Sequence, residues 1–262
     1  MLKVQNIKAA YQDRVVIENV SFEVKEGEFL GIIGPNGAGK TTLIKVMTGV
    51  KRSASGEVLL DEKPISSLSR RQIAQIMAVV PQGIFIPPLF TVEDVVLMGR
   101  YAHQRNRFGI TKEDMSVCEE AMKKTDTITF RHRQINELSG GERQEVIIAR
   151  ALAQEPKIFM LDEPTANLDI KHQMRVLGLV KTLVREHKIT TVMVIHDLNL
   201  AARFCDRLIL LHNQRILADG ISQQVLTPKN LLEAYEVEVK VEYNELLRVL
   251  QVIVIEGKNF EL

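Results

Sequence analysis

Apolar positions fall into short runs separated by charged and turn residues, and the runs change period along the chain. Leu2 to Ile7, Val15 to Val24 and Phe29 to Ile33 are β-branched or alternating, with Gly27 as punctuation, and predict strands. A helix is predicted from Gly39 to about Thr48. Short strands follow at Val58 to Leu60 and Met77 to Val80, around a polar helix from Ser69 to Ile76. From Gly83 to about Glu137 the character changes. Pro87, Pro88 and the basic stretch from Arg100 to Arg107 are loop-like, whereas Thr91 to Met98 and Lys112 to Lys124 predict helices. Both helices open on capping-box spacing, TVED and TKED, so this segment reads as a helical insert.

Alternation then resumes: helix Gly141 to Ala153, strand Ile158 to Leu161, helix Ile170 to Glu186, strand Thr190 to Ile195, helix Leu198 to Phe204, strand Leu208 to Leu211. Short Ile/Val/Leu runs, apolar on both faces, are what buried parallel strands require, so the core is expected to be a parallel α/β sheet. The tail from Pro228 carries one helix and two strand-like runs, Val237 to Tyr243 and Leu247 to Ile255. No internal repeat or low-complexity linker is present.

Composition narrows the class. With 262 residues, 45% of them hydrophobic, the chain is long enough for a sizeable core in one to two domains. The 34 basic and 33 acidic residues leave a net charge of +1, which argues against nonspecific nucleic-acid binding. Cys118 and Cys205 are too few for a disulfide framework or a four-ligand zinc site and read as packing residues in a reduced cytosol. The first residues, MLKVQNIKAAYQDRVV, lack the apolar core of a secretory signal, and no apolar run reaches membrane-spanning length.

The chemistry concentrates at strand ends. After FLGII comes GPNGAGKT, Gly34 to Thr41, matching GxxxxGK[ST] at every fixed position and followed by an apolar helix. Gly34, Gly37 and Gly39 let successive N–H groups point inward, and the helix N-terminus adds positive potential, so a polyphosphate is expected there. Lys40 supplies charge to the outer phosphates and Thr41 a hydroxyl for Mg²⁺. The apolar run Ile158 to Leu161 ends in Asp162 and Glu163. Asp162 is expected to bind Mg²⁺ directly or through water. Glu163, pointing the other way on the strand, is expected to polarise the water that attacks a γ-phosphate. A further run ends in His196 and Asp197: Asp197 is the expected N-cap of the next helix and His196 a contact to the γ-phosphate. Gln82 also ends a strand and could reach the metal or the attacking water.

LSGGE, Leu138 to Glu142, opens a helix. Ser139 and Glu142 have capping-box spacing, which leaves Gly140 and Gly141 to be explained, since glycine in a helix costs roughly 1 kcal/mol relative to alanine. Close approach of an anion to exposed N–H groups and the Ser139 hydroxyl would account for both.

In this order, GPNGAGKT, Gln82, LSGGE, Asp162 with Glu163, the turn Ala166 to Asp169, and His196 resemble the nucleotide-binding subunit of an ATP-binding-cassette (ABC) transporter over roughly residues 1 to 225. The resemblance implies an α/β fold: a P-loop NTPase core with a RecA-like parallel sheet (1–82 and 158–225), an N-terminal antiparallel β subdomain, an inserted α-helical subdomain (83–157) and a C-terminal extension (226–262). It implies ATP and Mg²⁺ as ligands. Nucleotide contacts fall on Tyr11, stacked on adenine, and on Gly34, Pro35, Asn36, Gly37, Ala38, Gly39, Lys40, Thr41 and Thr42. Thr41, Gln82 and Asp162 hold the metal, and Glu163, His196 and Gln82 act in hydrolysis. Two copies are implied to stack head to tail, so that Ser139, Gly140 and Gly141 of one close over the ATP held by Lys40 of the other. Asn167, Leu168 and Asp169 match a turn that communicates between sites, and the segment just after Gln82 matches a surface contacted by membrane-spanning subunits.

Gly99 to Phe108 and Leu226 to Val239 are similar to segments of the importer ATPases for iron-siderophore, haem and cobalamin uptake. That similarity implies an import engine on the cytoplasmic face of the membrane, with permease subunits and, indirectly, a substrate-binding protein as partners and no nucleic acid. Glu145 departs from the family, which often has arginine there, and would alter surface pairing near the interface. The alternative is a soluble ABC ATPase of translation, repair or cluster assembly; the chain carries neither two cassettes nor a long coiled-coil insert. A nucleotide-binding regulatory module without turnover is disfavoured by the complete set of catalytic residues.

Overall fold

The computed structural model describes residues 1–12, 14–104 and 109–255. Its contacts divide the chain into two compact units, Met1–Ser67 with Val192–Leu262, and Leu68–Thr191.

The first unit begins with β1 (Leu2–Tyr11), β2 (Arg14–Val24), β3 (Phe29–Ile33), α1 (Lys40–Met47), β4 (Ser55–Leu60) and β5 (Lys63–Pro64). An antiparallel sheet orders these as β2-β1-β4-β5. Strict alternation in β1 would send Leu2 and Val4 to the face opposite Ile7 and Ala9. Asn6, at φ 49°, inserts a bulge that shifts the register between Val4 and Ile7, and all four side chains are buried. The strand predicted to stop at Ile7 therefore continues to Tyr11. All five residues of β3 are buried, as a central parallel strand requires.

In the second unit, α2 (Arg70–Ala74) leads to β6 (Met77–Val80), α3 (Val92–Leu97), α4 (Lys112–Lys124), α5 (Gly140–Ala153), β7 (Ile158–Asp162) and α6 (Ile170–His187). β6 and β7 pair in parallel. Between residues 83 and 157 the described regular elements are helical, α3 to α5 and short 3-10 turns, with one isolated bridge joining Thr91 and Gln134. Thr91 with Asp94 and Thr111 with Asp114 form the expected capping boxes. Val92, Val95, Val96, Cys118, Met122, Val146 and Ile148 are buried. The Arg100 guanidinium is buried too. Its Nε donates to Asp114 Oδ1 at 2.9 Å and its terminal nitrogen to Ala153 O and Glu155 Oε2, both at 2.7 Å. Thus the basic stretch predicted as a loop opens on a buried structural residue, within a 3-10 turn over Met98–Ala102. Its end, 105–107, and residues 105–108 of the importer-like segment lie outside the described residues.

β8 (Thr190–Val194) begins in the second unit and ends in the first. There follow α7 (Leu198–Phe204), β9 (Arg207–His212), β10 (Arg215–Gly220), α8 (Ser222–Val225), α9 (Pro228–Tyr235), β11 (Val239–Asn244) and β12 (Val249–Val254). β9 runs parallel to β3, β10 returns antiparallel to β9, and β11 and β12 form a hairpin. Asn199 ties that hairpin to α7: its amide donates to Val252 O at 3.2 Å and its oxygen accepts from Val252 N at 2.7 Å. Neither Cys118 nor Cys205 is in a disulfide, and burial pushes the Cys118 thiol up to about 11, in keeping with an inert packing residue.

Candidate nucleotide-binding and catalytic site

In the first unit the loop between β3 and α1 has the form of an anion cradle. Gly34, Gly37 and Gly39 all have positive φ. At Gly39 (φ 101°) an added Cβ would lie 2.8 Å from Val16 O, so only glycine fits. Gly39 also caps α1 without any side-chain hydrogen bond to the helix N–H groups. Lys40 is 5% exposed, and its Nζ donates to Gly34 O at 2.8 Å and Pro35 O at 2.9 Å, which holds the ammonium against the loop's own carbonyls. Thr42 and Ala38 are buried, Thr41 is half-buried, and Asn36 and Gly37 are exposed. Tyr11 is 46% exposed, with Lys51 Nζ 4.0 Å from its ring centroid, a neighbour the sequence did not indicate. His196 is exposed, and Asp197 caps α7 by accepting from Asn199 N at 2.8 Å and Leu200 N at 2.9 Å, the expected capping role.

In the second unit, Asp162 ends β7 and is 4% exposed. Glu163 lies one residue beyond the strand in the left-handed region, φ 53°. Its direction is thus set by that turn and not by strand alternation, a correction to the sequence reading. Gln82 Nε2 donates to Glu163 Oε2 at 2.6 Å, bringing two of the expected catalytic side chains together.

Ser139 caps α5: Glu142 N donates to Ser139 Oγ at 3.3 Å and Ser139 N to Glu142 Oε2 at 2.8 Å. The Ser139 hydroxyl and N–H hold the Glu142 carboxyl below the usual carboxylate range. The two glycines differ. Gly140 is exposed, and a Cβ there would meet only Leu168 Cδ2, at 3.9 Å. Gly141 is buried, and its Cβ would lie 1.9 Å from His172 Cδ2. Close approach at Gly141 is therefore made by the protein's own imidazole, a reason the sequence analysis did not contain.

Glu145 is not at the surface, against expectation. It is 1% exposed, 2.8 Å from the half-exposed Arg175 Nε, and neither oxygen accepts a well-aligned hydrogen bond; burial pushes its carboxyl above the usual range. The period of α5 contained the signal, since 145 shares a stripe with the buried Ile148, Ala149 and Leu152.

Exposed apolar side chains cluster in sequence after Gln82: Phe85 is 86% exposed, Leu89 77% and Tyr101 80%. No helix among the described residues is long and apolar enough to cross a membrane, and no cluster of three or more His, Cys, Asp or Glu among them could hold a metal.

The profile of the ABC transporter family matches residues 17–166. The chain belongs to that family. The iron(3+)-hydroxamate import ATP-binding protein FhuC of Bacillus subtilis is 38% identical over 92% of this cassette and 89% of that protein. The cobalamin import ATP-binding protein BtuD of Halobacterium salinarum is 41% identical over 86% of this cassette, but the match spans 56% of its length. Similarly, the match spans 54% of an uncharacterised ABC transporter ATP-binding protein of Bacillus subtilis. Among solved structures, a chain of a metal-chelate type ABC transporter in an inward-facing conformation superposes with a TM-score of 0.84 at 28% identity, covering 97% of this chain and 96% of that one. The dimeric cassette MJ0796 superposes with a TM-score of 0.73 at 31% identity, covering 85% and 99%. The α/β P-loop NTPase fold expected from the sequence is the fold of these neighbours.

Proposed function

We propose that this chain is the ATP-hydrolysing subunit of an ABC importer, working as a head-to-tail pair on the cytoplasmic face of a membrane and driving uptake of an iron complex or cobalamin. The observation that carries the reading is the seating of Lys40 beneath a glycine loop whose helix has no side-chain cap. Such a loop offers backbone donors and one fixed ammonium to a polyphosphate.

The donor chemistry also suits Mg²⁺, which favours oxygen ligands, keeps several waters and shares its shell with phosphates. The Thr41 hydroxyl and Asp162 carboxylate would hold it, with Gln82 beside them in role. Bound there, Mg²⁺ neutralises phosphate charge. Lys40 binds the β- and γ-phosphate oxygens, and Pro35, Asn36, Ala38 and Thr42 complete the loop around the phosphates. Tyr11 offers its face to adenine. Glu163 takes the proton of a water at its carboxylate, that water's oxygen bonds to the γ-phosphorus, and the bond from phosphorus to the β–γ bridging oxygen breaks to release ADP. Gln82 orients Glu163, and His196 stabilises the γ-phosphoryl charge. Ser139, Gly140 and Gly141 of a second copy close over the nucleotide with a second set of N–H groups.

The helices between 83 and 157 form the subdomain that faces the permease, with Phe85, Leu89 and Tyr101 as its apolar contacts. A substrate-binding protein acts on the far side of that permease. The import names of the relatives favour this reading over a soluble, non-transport ATPase. The test is twofold: Lys40→Ala should lose ATP affinity by at least about tenfold, and the tagged wild-type chain should co-purify from membranes with a multi-span partner. ATP binding unchanged in Lys40→Ala, or recovery from cells with no membrane partner, contradicts it.

A further inference from the structure

The half-buried imidazole against Gly141 joins two segments of the second unit that the reaction scheme uses separately. His172 is the third residue of α6, and Asp169 caps that helix. Asp169 Oδ1 accepts from the His172 backbone N–H at 2.8 Å and lies 2.8 Å from His172 Nδ1. A carboxylate only accepts, so Nδ1 carries the proton of that bond. The His172 side chain is 22% exposed, and its far edge faces the first turn of α5, where a Cβ built on Gly141 would stand 2.2 Å from Cγ and 2.6 Å from Nε2. Leu168, in the same turn as Asp169, is the residue that a Cβ built on Gly140 would meet, at 3.9 Å.

We infer that His172 is a positioning residue that locks the turn Ala166 to Asp169 onto the glycine end of α5, so that the two move as one piece when nucleotide engages that end. The inference rests on the proposed ATPase reading and adds to it a residue that touches neither nucleotide nor metal. The hydrogen bond to Asp169 fixes the rotation of the ring, and the absence of a side chain at Gly141 lets the ring seat directly on helix backbone. A rigid joint of this kind transmits displacement, whereas a solvated turn would absorb it. Asp169 is correspondingly held below the usual carboxylate range by the His172 backbone N–H and imidazole.

Two variants divide the joint. His172→Phe keeps a ring over Gly141 and removes the donor to Asp169; His172→Asn places an amide N–H at the same distance from the backbone and removes the ring. Binding of a fluorescent ATP analogue and steady-state kcat should be measured for both in the full chain. His172→Phe should lower kcat about tenfold with nucleotide Kd within about twofold of wild type, and His172→Asn should recover most of that kcat. His172→Phe at wild-type kcat overturns the inference. So does an equal loss in both variants accompanied by an equal fall in melting temperature, since simple packing then accounts for the residue. A wild-type chain that binds ATP without turnover overturns instead the functional reading beneath it.

Discussion

Gln82 Nε2 and Glu163 Oε2, 81 positions apart in the chain, stand 2.6 Å from one another in one hydrogen bond. The amide orients the proposed base and marks Gln82 as a group whose departure would alter that base. Gln82→Glu replaces a donor by a second carboxylate at contact distance, which removes the hydrogen bond and sets two like charges against one another. Its kcat should therefore fall by about tenfold or more. A variant with the wild-type kcat would show that the two side chains separate before catalysis.

The two glycines of LSGGE should respond oppositely in stability. Gly140→Ala makes only an ordinary van der Waals contact, with Leu168, and gains helix propensity, so the melting temperature should stay level or rise while turnover falls, because its N–H end is proposed to meet phosphate. Gly141→Ala forces His172 away and should cost about 1–3 kcal/mol in denaturant unfolding.

Glu145 carries a pH dependence that runs against the usual carboxylate. Burial raises its folded-state value above the unfolded one, so its contribution to stability is present in full below the unfolded value and is lost as pH rises through the folded value. Arg175 is 43% exposed and keeps its hydration if Glu145 is neutralised. Glu145→Gln should raise the melting temperature at pH 8 by about 2–4 °C and by less at pH 4. A lower melting temperature at pH 8 would mean that the ion pair outweighs the desolvation.

Asp114 behaves conversely. Burial raises its value, but hydrogen bonds from Arg100 and Thr111 outweigh this and hold the carboxyl below the usual range. Its stabilisation is present above the unfolded value and disappears as pH falls through the folded one. Arg100→Ala strands a buried carboxylate and should cost about 3–5 kcal/mol at pH 7 by chemical denaturation, with a smaller loss below pH 4.

Much of this was legible in local sequence. β6, α4 and α7 have the bounds their periodicity predicts, because caps and buried runs both act within a few residues. The Lys40 loop is legible for the same reason: its glycines, lysine and helix are contiguous. What sequence does not carry is approach between distant segments. The seat of His172 on Gly141 depends on the meeting of two helices 31 positions apart. β10, whose short apolar run Ile216 to Ala218 carried no strand prediction, is half-buried, and its Asp219 is held by Arg207 of β9. Glu145 was readable from the period of α5 but is a charged residue on a buried stripe, where residue type misleads and position informs.

The central claim is that two copies of this chain enclose ATP. Sedimentation of Glu163→Gln with and without ATP and Mg²⁺ tests it most directly. The account predicts a monomer without nucleotide and, with it, a dimer of about twice 29.6 kDa retaining two unhydrolysed ATP molecules. A monomer at saturating ATP, or hydrolysis by this variant at the wild-type rate, would contradict it.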